Sequence, residues 1–478
     1  MLNTIKAKTV SGVKWTSLSM IITVVMLFIQ MAVLGRYLTP EEFGVMAILM
    51  LIIGFSDIFS QFGLSEAIIQ EQSTSRISLS SLYWLNLLFG VAVYFVVNSL
   101  SLVYAALHSS EIFTEYVPYV TLSFLILPLS SQFKTLFQKQ LKFKVLAVSE
   151  IVSVLVGVCF AIFYAIEFKD VWALIYGYLI RCTLNSLFVF IVGLRSGLAP
   201  RVEFSLSSVK PYMNFGLNLF ISNVMNFFNS RVDQLLIGSI LGVTALGYYS
   251  MAFNLVIQPI IKLNPVLTKV AFPILAKLKA TPDGLKDGYL KLMKGVLFLN
   301  TPLLIGLSIF APTVIPMFIG EKWTPSVEIV QILAFYALIR SSGNAGGSMV
   351  LAAGKANLLM RWNLWMFIFQ PVVIYAVASF GTVVDVAIAL VFIQLVSIFI
   401  WYHKIVVKLI GNCFIEYASC FLFPLLASLP MYLINLFITS SFTSLNHISL
   451  SIISIFICGI CYLCLMLYFE KTTKLFKG

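Results

Sequence analysis

The sequence predicts an all-α polytopic membrane protein with 14 transmembrane helices, in two pseudo-symmetric six-helix lobes followed by a C-terminal helix pair. Three observations predict it. Hydrophobic residues make up 60% of the 478 residues and charged residues only 10%, a balance that suits a core solvated by lipid. Apolar runs long enough to cross a bilayer recur along the whole chain. Their backbone must be satisfied inside each span, and they are too long for barrel strands, so they are helices. The positive charges also alternate regularly between the two sides of the membrane.

The runs cover 15–36, 43–64, 82–107, 115–133, 145–166 and 171–194 in the first lobe, and 214–238, 246–268, 294–318, 327–352, 358–380 and 383–402 in the second. Two more, 415–438 and 448–469, complete the set, which gives domains at 1–200, 201–410 and 411–478. With the N-terminus, the loops after even-numbered spans and the C-terminus placed inside, 24 of the 31 Lys and Arg lie inside. Only Arg36, Lys169 and Lys322 lie outside, and Arg181, Arg231, Lys262 and Arg340 fall within spans. A wrong number of spans would scramble this alternation, so both termini are expected on the cytoplasmic side. Lys6, Lys8 and Lys14 precede the first run without a small-residue cleavage pattern, which predicts a retained span rather than a signal peptide.

The net charge of +12 would suggest nucleic acid in a soluble chain. Here the charges sit in short loops, topology explains them, and no nucleic-acid partner is expected. The seven cysteines lie in or beside apolar segments and form no disulfide framework. Cys458, Cys461 and Cys464, spaced i, i+3, i+6, read as small residues on a helix face in preference to a metal site or redox relay.

The turn between the first two spans, 34–47, reads LGRYLTPEEFGVMA. Thr39 is placed as N-cap, Pro40 as the first helical residue, and Glu42 closes a capping box. A diluted copy, IGSILGVTALGYYS, recurs at 237–250, where Gly238, Leu241 and Gly247 answer to Gly35, Leu38 and Gly44, each 203 residues on. Spans 1 and 7 both run outward, so the repeat is parallel, as in transporters made of two similar lobes. The longest inner connection, 269–294, predicts a helix capped by Thr281 and started by Pro282, with Leu285, Tyr289 and Leu292 on one face. It is expected to lie amphipathically at the inner surface.

No catalytic constellation is present: there is neither a phosphate-binding P-loop nor a His-Glu-x-x-His pair, and His108, His403 and His447 sit near different span ends. The chain is therefore expected not to be an enzyme. Polar residues in spans carry the functional signal. Asn214, Asn218, Ser222, Asn226, Asn229 and Asp233 step along one face of span 7, ending beside Arg231. The stripe fits a wet cavity or interhelical hydrogen bonding, because facing it to lipid is costly. Tyr336, Arg340, Asn344 and Ser348 form a second stripe on span 10, where Gly343, Gly346 and Gly347 suit either close packing or an unwound binding segment. Arg181, Arg231, Lys262 and Arg340 outnumber Asp57 and Asp233, so pairing alone leaves a positive surplus that suits an anionic cargo. The expected cargo-binding set is Arg181, Arg231, Arg340, Asn226, Asn229 and Asn344. Asp57 and Asp233 are candidates for ion coupling or structural pairing.

The segments GRYLTPEEFGVMAI, FGLSEAIIQ, RVDQLLIGSILGVTALGYYSMAFNL, FPILAKLK and PLLIGLSIFAPTVIPMFIGEKW resemble bacterial polysaccharide transporters. These are Wzx-type flippases of the multidrug/oligosaccharidyl-lipid/polysaccharide exporter superfamily, in the branch of colanic-acid and teichuronic-acid exporters. The likeness runs from about residue 6 to 323 and continues more loosely beyond. It implies two six-helix lobes around a cavity that alternates between inward- and outward-open states, in a bacterial inner membrane. The implied substrate is an undecaprenyl-pyrophosphate-linked oligosaccharide for exopolysaccharide or lipopolysaccharide, moved to the periplasmic or outer leaflet. It further implies no cofactor, coupling to H+ or Na+, and a polysaccharide polymerase or export machinery as partner. Spans 13 and 14 resemble the extra pair of the lipid II flippase, where such helices accommodate the lipid tail. Three rivals remain at this stage. A cation-coupled multidrug exporter would favour an acidic cavity, a membrane polymerase or ligase would need a substantial outer loop, and a passive scramblase would ignore ion gradients.

Overall fold

A computed structural model describes residues 2–61, 68, 75–108, 111–278, 282–441, 454 and 457–466. Thr281, the segment FGLSEAIIQ apart from Ile68, and the C-terminal lysines lie outside the described residues, as do the side chains of Asn214 and Asn218. Among the described residues the chain is helical with no strand. It is a multi-pass membrane protein.

Each expected span has a helical counterpart. In the first half these are α1 (Leu2–Tyr37), α2 (Pro40–Gln61), α3 (Arg76–His108), α4 (Pro128–Lys139), α5 (Phe143–Phe168), α6 (Trp172–Arg195) and α7 (Leu206–Leu236). They are followed by α8 (Val243–Leu278), α9 (Pro282–Val314), α10 (Pro325–Ala352), α11 (Ala356–Phe380), α12 (Val383–Trp401), α13 (Phe414–Ser441) and α14 (Ile457–Met466). Two compact units divide the chain, Met1–Gly238 and Ser239–Gly478. α7 falls in the first unit because it packs on α2 and α3. There Phe55 of α2 meets the rings of Phe227 and Phe228 at centroid distances of 5.6 Å. The compact unit and the sequence repeat are therefore different divisions of the chain.

The Thr39 turn forms as its residues dictate. The Thr39 amide donates to Glu42 Oε2 at 2.6 Å, and the Glu42 amide returns to Thr39 Oγ1 at 3.3 Å, so two orphan donors of the α2 N-terminus are satisfied. Leu34 and Leu38 beneath it are fully buried. In the copy, Gly242 stands where Thr39 does and adopts a φ of +91°, which its missing Cβ permits. A π-helical turn, Ile237–Leu241, precedes it, and α8 then starts at Val243, the equivalent of Pro40. A second capping box, Thr382 with Asp385, opens α12.

Two expectations need correction, and one open alternative is decided. Span 4 is not one helix: Glu111–Glu115, Val117–Val120 and Ser123–Ile126 are short pieces, bent by 42° from α4. Pro118 and Pro128 each lack an amide donor, and Thr121 and Ser123 hydroxyls bond back to the carbonyls of Val117 and Val120, which breaks the ladder. Gly90 of α3 admits this break, since a Cβ there would strike the Phe124 carbonyl. The stretch after Pro282 is not a separate surface helix but the first turns of α9. Leu285, Tyr289 and Leu292 are buried, Tyr289 stacks on Tyr417 of α13 at 6.5 Å, and Lys286 pairs with Glu416 at 2.9 Å. Finally, α10 stays helical through its glycines. Gly346 faces Trp401 of α12, whose ring would lie 2.8 Å from an added Cβ, so close packing is its role there and not unwinding.

Candidate functional site

Inside the first unit, four elements bring ionisable groups together. α5 and α6 cross at small residues: an added Cβ on Gly157 would sit 2.8 Å from the Gly177 carbonyl oxygen, and one on Gly177 would sit 2.7 Å from Ala161 Cβ. Such contact lets the two backbones approach closely within lipid. One turn along α6 from Gly177, Arg181 reaches back to α5, where Nη2 donates to Glu150 Oε1 at 2.6 Å. Asn185, a further turn on, donates to Glu150 Oε2 at 3.3 Å and lies 3.4 Å from Ser149 Oγ. The Glu150 carboxylate is thus held at both oxygens by α6.

Lys134 of α4 stands within electrostatic reach of Glu150, Arg181, Cys182 and Asp57. Tyr178 of α6 faces Ser123, at the break of span 4, together with Cys182 and Asp57. Arg181 and Glu150 are each about one-third exposed, at 35% and 33% of their side chains, so the pair is neither sealed nor fully hydrated. Non-helical backbone at membrane depth is tolerated where it is buried in protein or lines a cavity, and the broken span lies against this cluster.

Two of the expected site residues, Arg181 and Asp57, belong to this cluster. Arg181 does not draw its ion pair from Asp57 or Asp233, the acids weighed for that role; its partner is Glu150 of α5. Glu150 was missed in the sequence, although it is the only carboxylate of the run 145–166, and a lone carboxylate in such a run is the signal that would have found it. Lys134 belongs to a helix packed inside the unit and not to the loop after span 4, because α4 extends that span to Lys139. On α7, Asn226 is exposed, Asn229 half-buried and Asp233 buried, so the stripe passes from accessible to enclosed along the helix. Arg231 donates to Gln234 at 3.1 Å. In the second unit, Arg340 donates to the Tyr336 hydroxyl and lies 5.6 Å from its ring centre, while Asn344 is exposed. Lys262 is half-buried.

With Lys134 and Glu150 added, the set of charges weighed for the site holds five basic side chains (Lys134, Arg181, Arg231, Lys262, Arg340) against three acidic ones (Asp57, Glu150, Asp233); charges near helix ends, such as Glu328, Arg361 and Asp385, stand outside that set. The surplus of two survives the correction. Charges at this depth are costly unless they are paired or hydrated.

A helical membrane protein with this arrangement has the fold of a known lipid transporter. The lipid II flippase MurJ, in an inward closed conformation, superposes with a TM-score of 0.76 over 97% of this chain and 99% of its own, at 15% identity. The chain belongs to the polysaccharide biosynthesis protein family, whose sequence model matches residues 33–328. It is 29% identical to the lipopolysaccharide biosynthesis protein WzxC of Escherichia coli K12, over 90% of this chain and 87% of that protein. It is also 29% identical to the teichuronic acid biosynthesis protein TuaB of Bacillus subtilis 168, over 97% and 96% of the two chains. The chain is thus a membrane protein of a polysaccharide biosynthesis family with the fold of a transporter.

Proposed function

We propose that the protein flips undecaprenyl-pyrophosphate-linked oligosaccharide repeat units from the cytoplasmic to the outer leaflet of a bacterial inner membrane by alternating access. The positive surplus within its spans carries this reading. A pyrophosphate diester bears two negative charges that must cross the low-dielectric layer, and guanidinium groups match its oxygens in geometry and sign. Arg181, Arg231 and Arg340 are the cargo-binding cations, with Asn226, Asn229 and Asn344 as neutral donors. Asp57 and Asp233 serve coupling to a proton or sodium gradient. Membership of a polysaccharide biosynthesis family supports the glycan part of the cargo, and the MurJ-like fold supports a lipid-linked one. A multidrug exporter with cationic cargo would favour an acidic excess instead.

The test is a deletion strain. It should lose surface polysaccharide and accumulate lipid-linked repeat units that only inside-acting reagents can reach. Unchanged surface polysaccharide, or repeat units accumulated in the outer leaflet, would contradict the proposal.

A further inference from the structure

The first-unit cluster has a property that transport alone does not require. Arg181 already holds a carboxylate. The Glu150 oxygen at 2.6 Å takes the Nη2 donor, one that a phosphate oxygen would also use, because carboxylate and phosphate oxygens both accept from a guanidinium. Beside it, the half-buried Lys134 ammonium has no hydrogen bond or ion pair among the described residues. The charges of Lys134 and Arg181 balance those of Glu150 and Asp57, so the cluster sums to zero.

Resting on the flippase reading, we propose that Glu150 is an internal counter-ion that competes with a phosphate-class anion for Arg181. An anion bound by Arg181 and Lys134 displaces the carboxylate, which then takes up a proton. The physical reason is charge balance. A doubly charged anion entering a neutral, partly dehydrated cluster leaves it at minus two, and a carboxylate stripped of its partner inside a helix bundle is costly while ionised. Protonation of Glu150 removes that cost. The proton comes from water reaching the one-third-exposed pair, and no other bond changes. Cargo binding and proton binding thereby become linked, and each favours the other.

The groups facing Glu150 are few. From α6 comes Arg181 and from α4 Lys134, while Tyr178 and Cys182 of α6 stand behind them, towards Asp57. Asp57 of α2 completes the set through Lys134. α1 also packs on α5 but carries no titratable side chain between Trp15 and Gly35. A proton exchanged here is therefore attributable by substitution.

The experiment titrates the full chain in lipid nanodiscs with UDP-glucose, a soluble pyrophosphate diester, in two buffers of different ionisation enthalpy. The diester lacks the second ionisation that a phosphate monoester shows near about pH 6, so its own charge does not change across the neutral range. Wild type should bind with net proton uptake and more tightly as pH falls. Glu150→Gln removes the competitor; it should bind about three- to tenfold more tightly at the alkaline end, with a flat pH profile and no proton uptake. Binding without proton uptake in wild type overturns the proposal, as does uptake retained in Glu150→Gln or no binding at any pH. Where Glu150→Gln fails to fold, the proton stoichiometry of the unsubstituted chain decides. The Glu150→Gln/Arg181→Gln double variant, which leaves no unpaired charge, should bind weakly without proton uptake. This outcome is separable from the flippase reading: lipid flipping that ignores Glu150 and pH defeats only the linkage, while linked binding without flipping defeats only the cargo assignment.

Discussion

Replacing Gly157 by alanine tests the crossing that sets the geometry of the ionic cluster. The new methyl would lie 2.8 Å from the Gly177 carbonyl oxygen and 3.0 Å from Arg181 Cβ. The nearer contact is backbone and cannot rotate away, so the helices must separate, at an overpacking cost of about 1–3 kcal/mol. Alanine also gains about 1 kcal/mol over glycine in a helix interior. That gain hides part of the clash, so it needs a reference. Gly295, inside α9, provides one, because a Cβ there meets nothing within 4 Å. The two substitutions share the propensity gain, and their difference isolates the clash. Gly295→Ala should be neutral or stabilising, and Gly157→Ala should lie about 1–3 kcal/mol below it. Reversible unfolding in detergent, or thermal stability followed by size exclusion, reads the difference. Equal shifts for the two variants would refute the close approach of α5 and α6, and with it the placement of Arg181 beside Glu150.

Other consequences are more local. Thr39→Ala and Thr382→Ala each remove a capping box and should cost about 0.5–2 kcal/mol of stability, largely independent of salt. At the start of α9, a double-mutant cycle on Lys286 and Glu416 should give no more than about 1 kcal/mol, since the Glu416 side chain is half exposed. Tyr289→Ala, a few residues on, should cost about 3–5 kcal/mol as a buried aromatic, measured by the same thermal assay. Asn300 donates to Asn264 Oδ1 at 2.7 Å between α9 and α8, and Asn300→Leu should cost about 1 kcal/mol, the scale of interhelical hydrogen bonds in membranes.

The helical architecture was legible because the bilayer leaves so few choices. An apolar run of span length must be a helix, which needs no tertiary knowledge. Capping chemistry was legible for the same kind of reason: Thr39 and Glu42 act on their own backbone. The paired helix starts at Pro40 and Val243 were visible as a 203-residue repeat. What escaped reading depends on neighbours. The break in span 4 needed Pro118, Pro128 and the Thr121 and Ser123 hydroxyls to act together, and hydropathy averages over all four. Leu285, Tyr289 and Leu292 have the pattern of a surface helix, and only the arrival of Tyr417 from α13 decides that this face is buried. Arg181 was identifiable as a costly charge, but its partner Glu150 lies 31 residues away on another helix. Spacing within one helix carries no information about that register. Lys134 was hidden because the end of span 4 was drawn one residue before it, whereas α4 continues to Lys139.

The most direct test is translocation in proteoliposomes that contain the purified chain and a fluorescent undecaprenyl-pyrophosphate-linked oligosaccharide. A membrane-impermeant reagent that quenches only the outer leaflet reads the exchange. Wild type should make the inner pool accessible, and the triple variant Arg181→Gln/Arg231→Gln/Arg340→Gln, reconstituted to the same density, should not. Translocation by the triple variant at the wild-type rate would contradict the assignment of the spans' positive charge to an anionic cargo.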